Sequence, residues 1–283
     1  MINRDADSAS RSSPAFEPAP ILGGLYGDGI ISLKQAFTTA FADRMNSEIM
    51  ALFAEARNVP GGALPRGPER WYVEVQPERI SGFVEIATHP WFVAVCEAVL
   101  TRDYRIVEVG FDIPFPGAAD QPWHRDFAVP EATSRDRRLN SLAFNLTTID
   151  TRPEHGPFEV APGTQWDEFT GCARNMFPPR ELWGRYQERA VQKLAQRGDI
   201  SARSALTIHR GTANQSNEPR PVLVIGVDAP DATNAAHHDL QVTQPYLDAL
   251  PPQVRDRLAY RVVDRLEPVV QHHTIEGLLT PAY

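Results

Sequence analysis

The chain has 283 residues, 42% hydrophobic and 23% charged, with 28 Lys and Arg against 36 Asp and Glu for a net charge of −8. This is the balance of a soluble globular protein: an acidic surface repels phosphate backbones, which excludes a general nucleic-acid binder, and no apolar run approaches bilayer-spanning length. The length suits one large domain, monomeric or homodimeric. Two cysteines far apart in sequence, Cys96 and Cys172, exclude a disulfide framework and point to a reducing cytoplasm.

Residues 1–24 lack the apolar stretch of a secretory signal and carry acidic residues foreign to a transit peptide, so they are expected to form a disordered tail. A single domain is expected over 25–283. Ser32-Leu33-Lys34-Gln35 has the form of a capping box. It predicts a helix whose buried face carries Phe37, Phe41, Met45, Ile49 and Leu52 or Phe53. A Pro/Gly-rich loop, "NVPGGALPRGPER", leads into a strand-like "WYVEV". Thr88 then caps a second helix through "HPWFVAVCEAVL", with His89 and Pro90 in its first turn and Cys96 as a core thiol.

From residue 104 the apolar period changes to two. "YRIVEVGFDI", "RLNSLAFNLTTI", "GPFEVAP", "ISARSALTIH" and "PVLVIGV" are short β-rich runs divided by Pro, Gly, Asn and Asp. A polar helix is expected in "PPRELWGRYQERAVQKLAQRGD", ended by Gly198, and one more around "QPYLDALPPQVRDRLAYRVVD". The pattern predicts a mainly β fold with packed helices, a double-sheet jelly roll over about 70–230, followed by a helical or lid segment at 231–283.

"PWHRDF" places His124 and Asp126 one residue apart, and on an extended strand both would project to the same face. A second such pair, His237 and Asp239, stands in the polar "AAHHDL", and only His272 and His273 follow it. That pair is read as a solvated loop. The first pair has a distant partner: His209 ends an apolar strand, a turn-rich loop follows, and Arg220 opens the next strand, as in a hairpin. Two histidines and a carboxylate on one face of an octahedron leave three positions open, the arrangement of non-haem Fe(II) oxygenases. A guanidinium nearby could take the distal carboxylate of 2-oxoglutarate as a bidentate partner.

"GDISARSALTIHRGTANQSNEPRP" resembles the C-terminal signature of the phytanoyl-CoA dioxygenase family: Gly198-Asp199 opening a strand, His209 eleven residues on, then Asn214 and Arg220. "HGPFEVAPGTQW" resembles the family's Asn-Gly-Pro…Pro-Gly-Ser/Thr-His turn. Here His155 stands for the usual Asn and Gln165 for the usual His, departures that bear on loop packing or substrate. The resemblance covers roughly 70–230. It implies a double-stranded β-helix (cupin-like) fold, Fe(II) held by His124, Asp126 and His209, 2-oxoglutarate held by Arg220, and O2 as the second cosubstrate. Arg105 and Asn145 are further candidates for the cosubstrate pocket. Trp71, Phe111, Trp123, Phe127 and Trp166 flank the pocket in sequence, and Asn214 and Ser216 read as turn formers. Halogenases related to the family need a halide where the Asp126 carboxylate would bind, so a halide-free oxidation is implied. Hydroxylation of a small or medium metabolite is the leading expectation, with a bias to secondary metabolism because nothing marks a CoA-binding surface. Desaturation, epimerisation or cyclisation at the same site remains open, as does a catalytically silent jelly-roll binding protein.

Overall fold

The structure is a computed structural model and describes residues 16–128, 131–169, 175–233 and 237–270. Its centre is a seven-stranded antiparallel sheet of order β1-β8-β5-β10-β4-β3-β2. The strands are β1 (Ile30–Leu33), β2 (Leu64–Pro65), β3 (Arg70–Glu74), β4 (Arg105–Pro114), β5 (Ser141–Thr147), β8 (Ile200–Ser204) and β10 (Val222–Asp228). A smaller sheet, β7-β6-β9, joins β6 (Phe158–Val160), β7 (Val191–Lys193) and β9 (His209–Gly211). Residues of both sheets line one cavity, the expected jelly-roll core.

Strand alternation divides the large sheet into two chemistries. One face carries Val109, Phe111, Ile113, Leu142, Phe144, Leu146, Leu223, Ile225 and Val227, all buried. Helices α1 (Pro18–Gly27), α2 (Thr39–Ala56), α3 (Phe83–Ala87) and α4 (Pro90–Leu100) pack their apolar stripes on it. The Phe92 and Phe144 rings, for example, lie 4.2 Å apart. Cys96 is a free, buried thiol of this layer. The other face, with Glu108, Asp112, Asn145, Thr147, Val222 and Val224, turns to the cavity.

Several sequence expectations change here. Residues 18–24 of the expected tail belong to α1, which buries Ile21 and Leu25. Ser32 does not cap a helix: Ile30–Leu33 pair with β8, Gln35 has a left-handed φ of 52°, and Thr38 caps α2 by accepting from the Phe41 amide. The helical face itself, Phe41, Met45, Ile49, Leu52 and Phe53, is buried as expected. Thr88 closes α3, its hydroxyl donating to the Val84 carbonyl, while His89 caps α4 by accepting from the Trp91 amide.

"ISARSALTIH" is two strands, not one. The Ser204 hydroxyl and carbonyl accept from the Leu206 and Thr207 amides, forming a turn inside the apolar run, so His209 starts β9. The expected hairpin between His209 and Arg220 is therefore absent, because β9 pairs with β6 whereas β10 lies between β5 and β4. The polar helix is confined to Trp183–Arg189, and Val191–Lys193 pair with β6 instead. Gly198 belongs to the turn before β8: its φ is 87° and a Cβ would meet the Phe37 carbonyl oxygen at 2.2 Å. The C-terminal helix is two short ones, Gln244–Ala249 and Pro252–Arg255, flanked by the parallel pair β11 (Gln241–Thr243) and β12 (Arg261–Val263). Cys172, His272 and His273 fall outside the described residues. Among the described residues no helix is long and apolar enough to cross a membrane.

Candidate active site

His124 and His209 are joined by their own backbones. The His124 amide donates to the His209 carbonyl at 2.9 Å and the His209 amide donates back at 2.8 Å. Cross-strand partners of this kind hold their side chains close together, and the ring centroids lie 4.2 Å apart. Two residues on, the Asp126 amide donates to the Ala205 carbonyl. The three side chains offer ligand atoms within 4.8 Å of one another.

The hydrogen bonds of the rings fix which nitrogen each one offers. His124 Nδ1 lies 2.8 Å from the Pro122 carbonyl and His209 Nδ1 2.9 Å from the Thr207 carbonyl. A carbonyl only accepts, so each Nδ1 carries the proton and each Nε2 presents a lone pair. Burial, then the neighbouring His209 ring, lowers the His124 pKa; burial, then Arg203, lowers that of His209. Burial also acts on Asp126, raising it, but Arg203 and His209 more than reverse this and hold its carboxyl well below the usual range. Arg203 Nη2 sits 2.9 Å from Asp126 Oδ2. His209 Nε2 faces Asp126 Oδ1 at 3.3 Å, so two acceptors confront each other. A cation between them removes that repulsion, and two neutral imidazoles with one carboxylate are the donors Fe(II) takes.

The trio opens on a cavity of about 670 Å³. Strand register gives this cavity two unlike ends. Asp112 stands opposite Val222, near Arg220, while Glu108 stands opposite Gly226, four residues along β4 and so roughly 13 Å away. At the first end, Arg70 Nη1 bonds Asp112 Oδ2 at 2.9 Å. Arg220, buried, donates from Nε to the Gly156 carbonyl, with Nη2 4.0 Å from the same Asp112 oxygen. At the other end Tyr72 donates to Glu108, and His238 Nδ1 lies 3.3 Å from Glu74 Oε1. Glu74, Glu108 and His238 also bring ligand atoms within 4.8 Å of one another, yet they form an internally paired network. Burial alone would lower His238, but Glu108 and Glu74 push it up to about 9.

Of the remaining candidates, Asn145 and Phe127 line the cavity. Arg105 does not: it is exposed at the start of β4 and donates to the Asp256 carbonyl. Phe111 faces away into the helical layer, and Trp71 lies outside the cavity against Phe53 and Arg57. Trp166 packs on Tyr26 beside a separate, smaller pocket. Trp123 is buried against Tyr186 and Arg210. Asn214 and Ser216 build the turn before Arg220. His155 accepts from the Arg152 amide, and Gln165 donates to carbonyls of α1, so both replacements serve loop packing. His238 corrects the reading of "AAHHDL" as a solvated loop, since its side chain lines the cavity. Sequence reasoning also missed Arg203, Lys193, Glu74, Glu108 and Phe158, whose ring stacks on His209 at 5.0 Å. Charges inside apolar strand runs, as in "WYVEV" and "RIVEV", were the available signal.

A sequence model described as phytanoyl-CoA dioxygenase matches residues 25–222. No curated protein matches the sequence. Among solved structures, EctD from S. alaskensis in its apoform is similar at 17% identity over 80% of each chain, with a TM-score of 0.60. HygX from Streptomyces hygroscopicus, with nickel and 2-oxoglutarate bound, matches at 13% identity over 79% of this chain and 90% of its own, TM-score 0.56. SnoN, a non-heme alpha ketoglutarate dependent epimerase from nogalamycin biosynthesis, matches at 18% over 75% and 84%, TM-score 0.56. At these identities the likeness is one of fold.

Proposed function

Because the chain belongs to the phytanoyl-CoA dioxygenase family, we propose that it is an Fe(II)- and 2-oxoglutarate-dependent oxygenase that hydroxylates a small or medium-sized organic metabolite. The observation that carries this reading is the pair of Nε2 lone pairs and the ionised carboxylate converging on one point at a cavity wall. His124 and His209 would hold the ion through Nε2 and Asp126 through a carboxylate oxygen. When bound, Fe(II) with 2-oxoglutarate supplies the oxidising power, O2 being reduced as the 2-oxo acid loses CO2 and becomes succinate.

The chain's own residues do the rest. Pro122 and Thr207 fix the ring tautomers, and Arg203 keeps Asp126 ionised and oriented. Arg220 would take the distal carboxylate of 2-oxoglutarate with its Nη atoms, its Nε being held by Gly156. Phe158, stacked on His209, and Phe127 in the cavity wall supply apolar surface that limits water near the reacting atoms. The Glu108 end is left for the substrate. Asp126 occupies the position a halide would need, which favours a halide-free outcome.

The test needs no substrate. Fe(II) and then 2-oxoglutarate are added anaerobically to metal-free protein while the visible spectrum is recorded. A weak charge-transfer band is expected only with both present, and His209→Ala should abolish it. Folded protein with bound iron and no band would overturn the oxygenase reading in favour of a binding protein. Once a substrate is found, product mass separates hydroxylation, which adds one oxygen atom, from epimerisation, which leaves mass unchanged.

A further inference from the structure

The geometry points to Lys193 as the second cation of the cosubstrate pocket, closing with Arg220 on the distal carboxylate of 2-oxoglutarate; the inference rests on the oxygenase reading above. Lys193 ends β7, opposite Phe158 in register, and both side chains line the cavity. Its ammonium donates to the buried Ser201 hydroxyl, a neutral partner. The carboxylates near this end are already engaged. Asp112 is bonded by Arg70 at 2.9 Å, leaving Arg220 at 4.0 Å. Asp199 uses its two oxygens on the backbone amides of Gln35 and Gln196.

Three cations, Arg70, Arg220 and Lys193, therefore meet two carboxylates, Asp112 and Asp199. Burying charge without a counter-charge is expensive, and a site that carries such an excess is made for an anion. The surplus of one matches the single charge of the distal carboxylate, the 2-oxo acid head going to the iron. The strain shows on the lysine itself: burial first, and Arg220 next, push its amine down to about 7. Residue choice points the same way. Lys193 is one of two lysines in the chain, Lys34 being the other, and every other Lys or Arg is an arginine. A compact ammonium on a flexible stem can follow a carboxylate beside the planar Arg220 fork, where a second guanidinium would crowd it.

The test compares 2-oxoglutarate with pyruvate, which shares the 2-oxo acid head and lacks the distal carboxylate. Dissociation constants are read from anaerobic titrations of the Fe(II) protein, wild type and Lys193→Met. The substitution should weaken 2-oxoglutarate roughly 10- to 100-fold and leave pyruvate unchanged, with Lys193→Arg recovering part of the loss. An unchanged 2-oxoglutarate constant, or equal weakening of both acids, overturns the assignment. A second measurement uses the wild-type chain and so does not depend on a variant folding. Acetic anhydride labels Lys193 at neutral pH, read by mass spectrometry with Lys34 as internal reference, and saturating 2-oxoglutarate should protect Lys193 alone. No protection while 2-oxoglutarate is bound also overturns it. Wild-type protein that binds no 2-oxoglutarate at all would instead sink the oxygenase reading, and this inference with it.

Discussion

At the scale of single residues, the site depends on a side chain that touches no candidate ligand but one. Arg203 is buried, holds Asp126 at 2.9 Å and makes its ionisation independent of pH across the working range. Arg203→Leu should leave the fold intact and weaken Co(II) or Fe(II) binding about 10- to 100-fold, measured by titration of metal-free protein. Wild-type affinity in that variant would show that the carboxylate orients itself. His124 and Asp126 were legible because strand spacing puts both on one face. His238 was not, because its partners Glu74 and Glu108 are distant in sequence and no spacing rule joins them.

At the scale of elements, legibility followed length. Strands β4, β5 and β10 have seven or more residues; β4 and β5 set polar residues between apolar ones, and β10 is a bounded β-branched apolar run, so pattern and length alone identify them. Strands β6, β7 and β9 have three residues each, too few for a pattern, and exist because they pair with one another. The start of α2 was misplaced for a related reason: Ser32 and Gln35 satisfy the local capping rule, but pairing with β8 satisfies more backbone groups. The true cap predicts its own energetics. Thr38→Ala should cost about 1 kcal/mol in urea unfolding, since the Phe41 amide loses its acceptor, while Ser32→Ala should stay within about 0.5 kcal/mol. The reverse order would restore the capping box.

At the scale of the whole molecule, the C-terminal segment is fastened across the large sheet by polar contacts. The Gln241 amide donates to Gln76, Thr243 bonds Glu78, and His238 pairs with Glu74. Because the folded protein raises His238 from its ordinary 6.5 to about 9, this pairing stabilises fully below pH 6.5 and is lost as pH climbs through 9. Between those limits wild type should lose on the order of 1–3 kcal/mol more than His238→Gln, measured by urea unfolding at each pH. Parallel pH profiles for the two proteins would remove the ion pair from the account.

The backbone bonds between His124 and His209 also bear on how the protein acquires its metal. Two donors from remote parts of the chain are brought together by sheet formation itself, before any ion arrives. Removing the metal should therefore leave the fold intact. The protein should thus be purifiable empty and chargeable in the cuvette, with cobalt or nickel exchanged for iron in the same preparation without a refolding step.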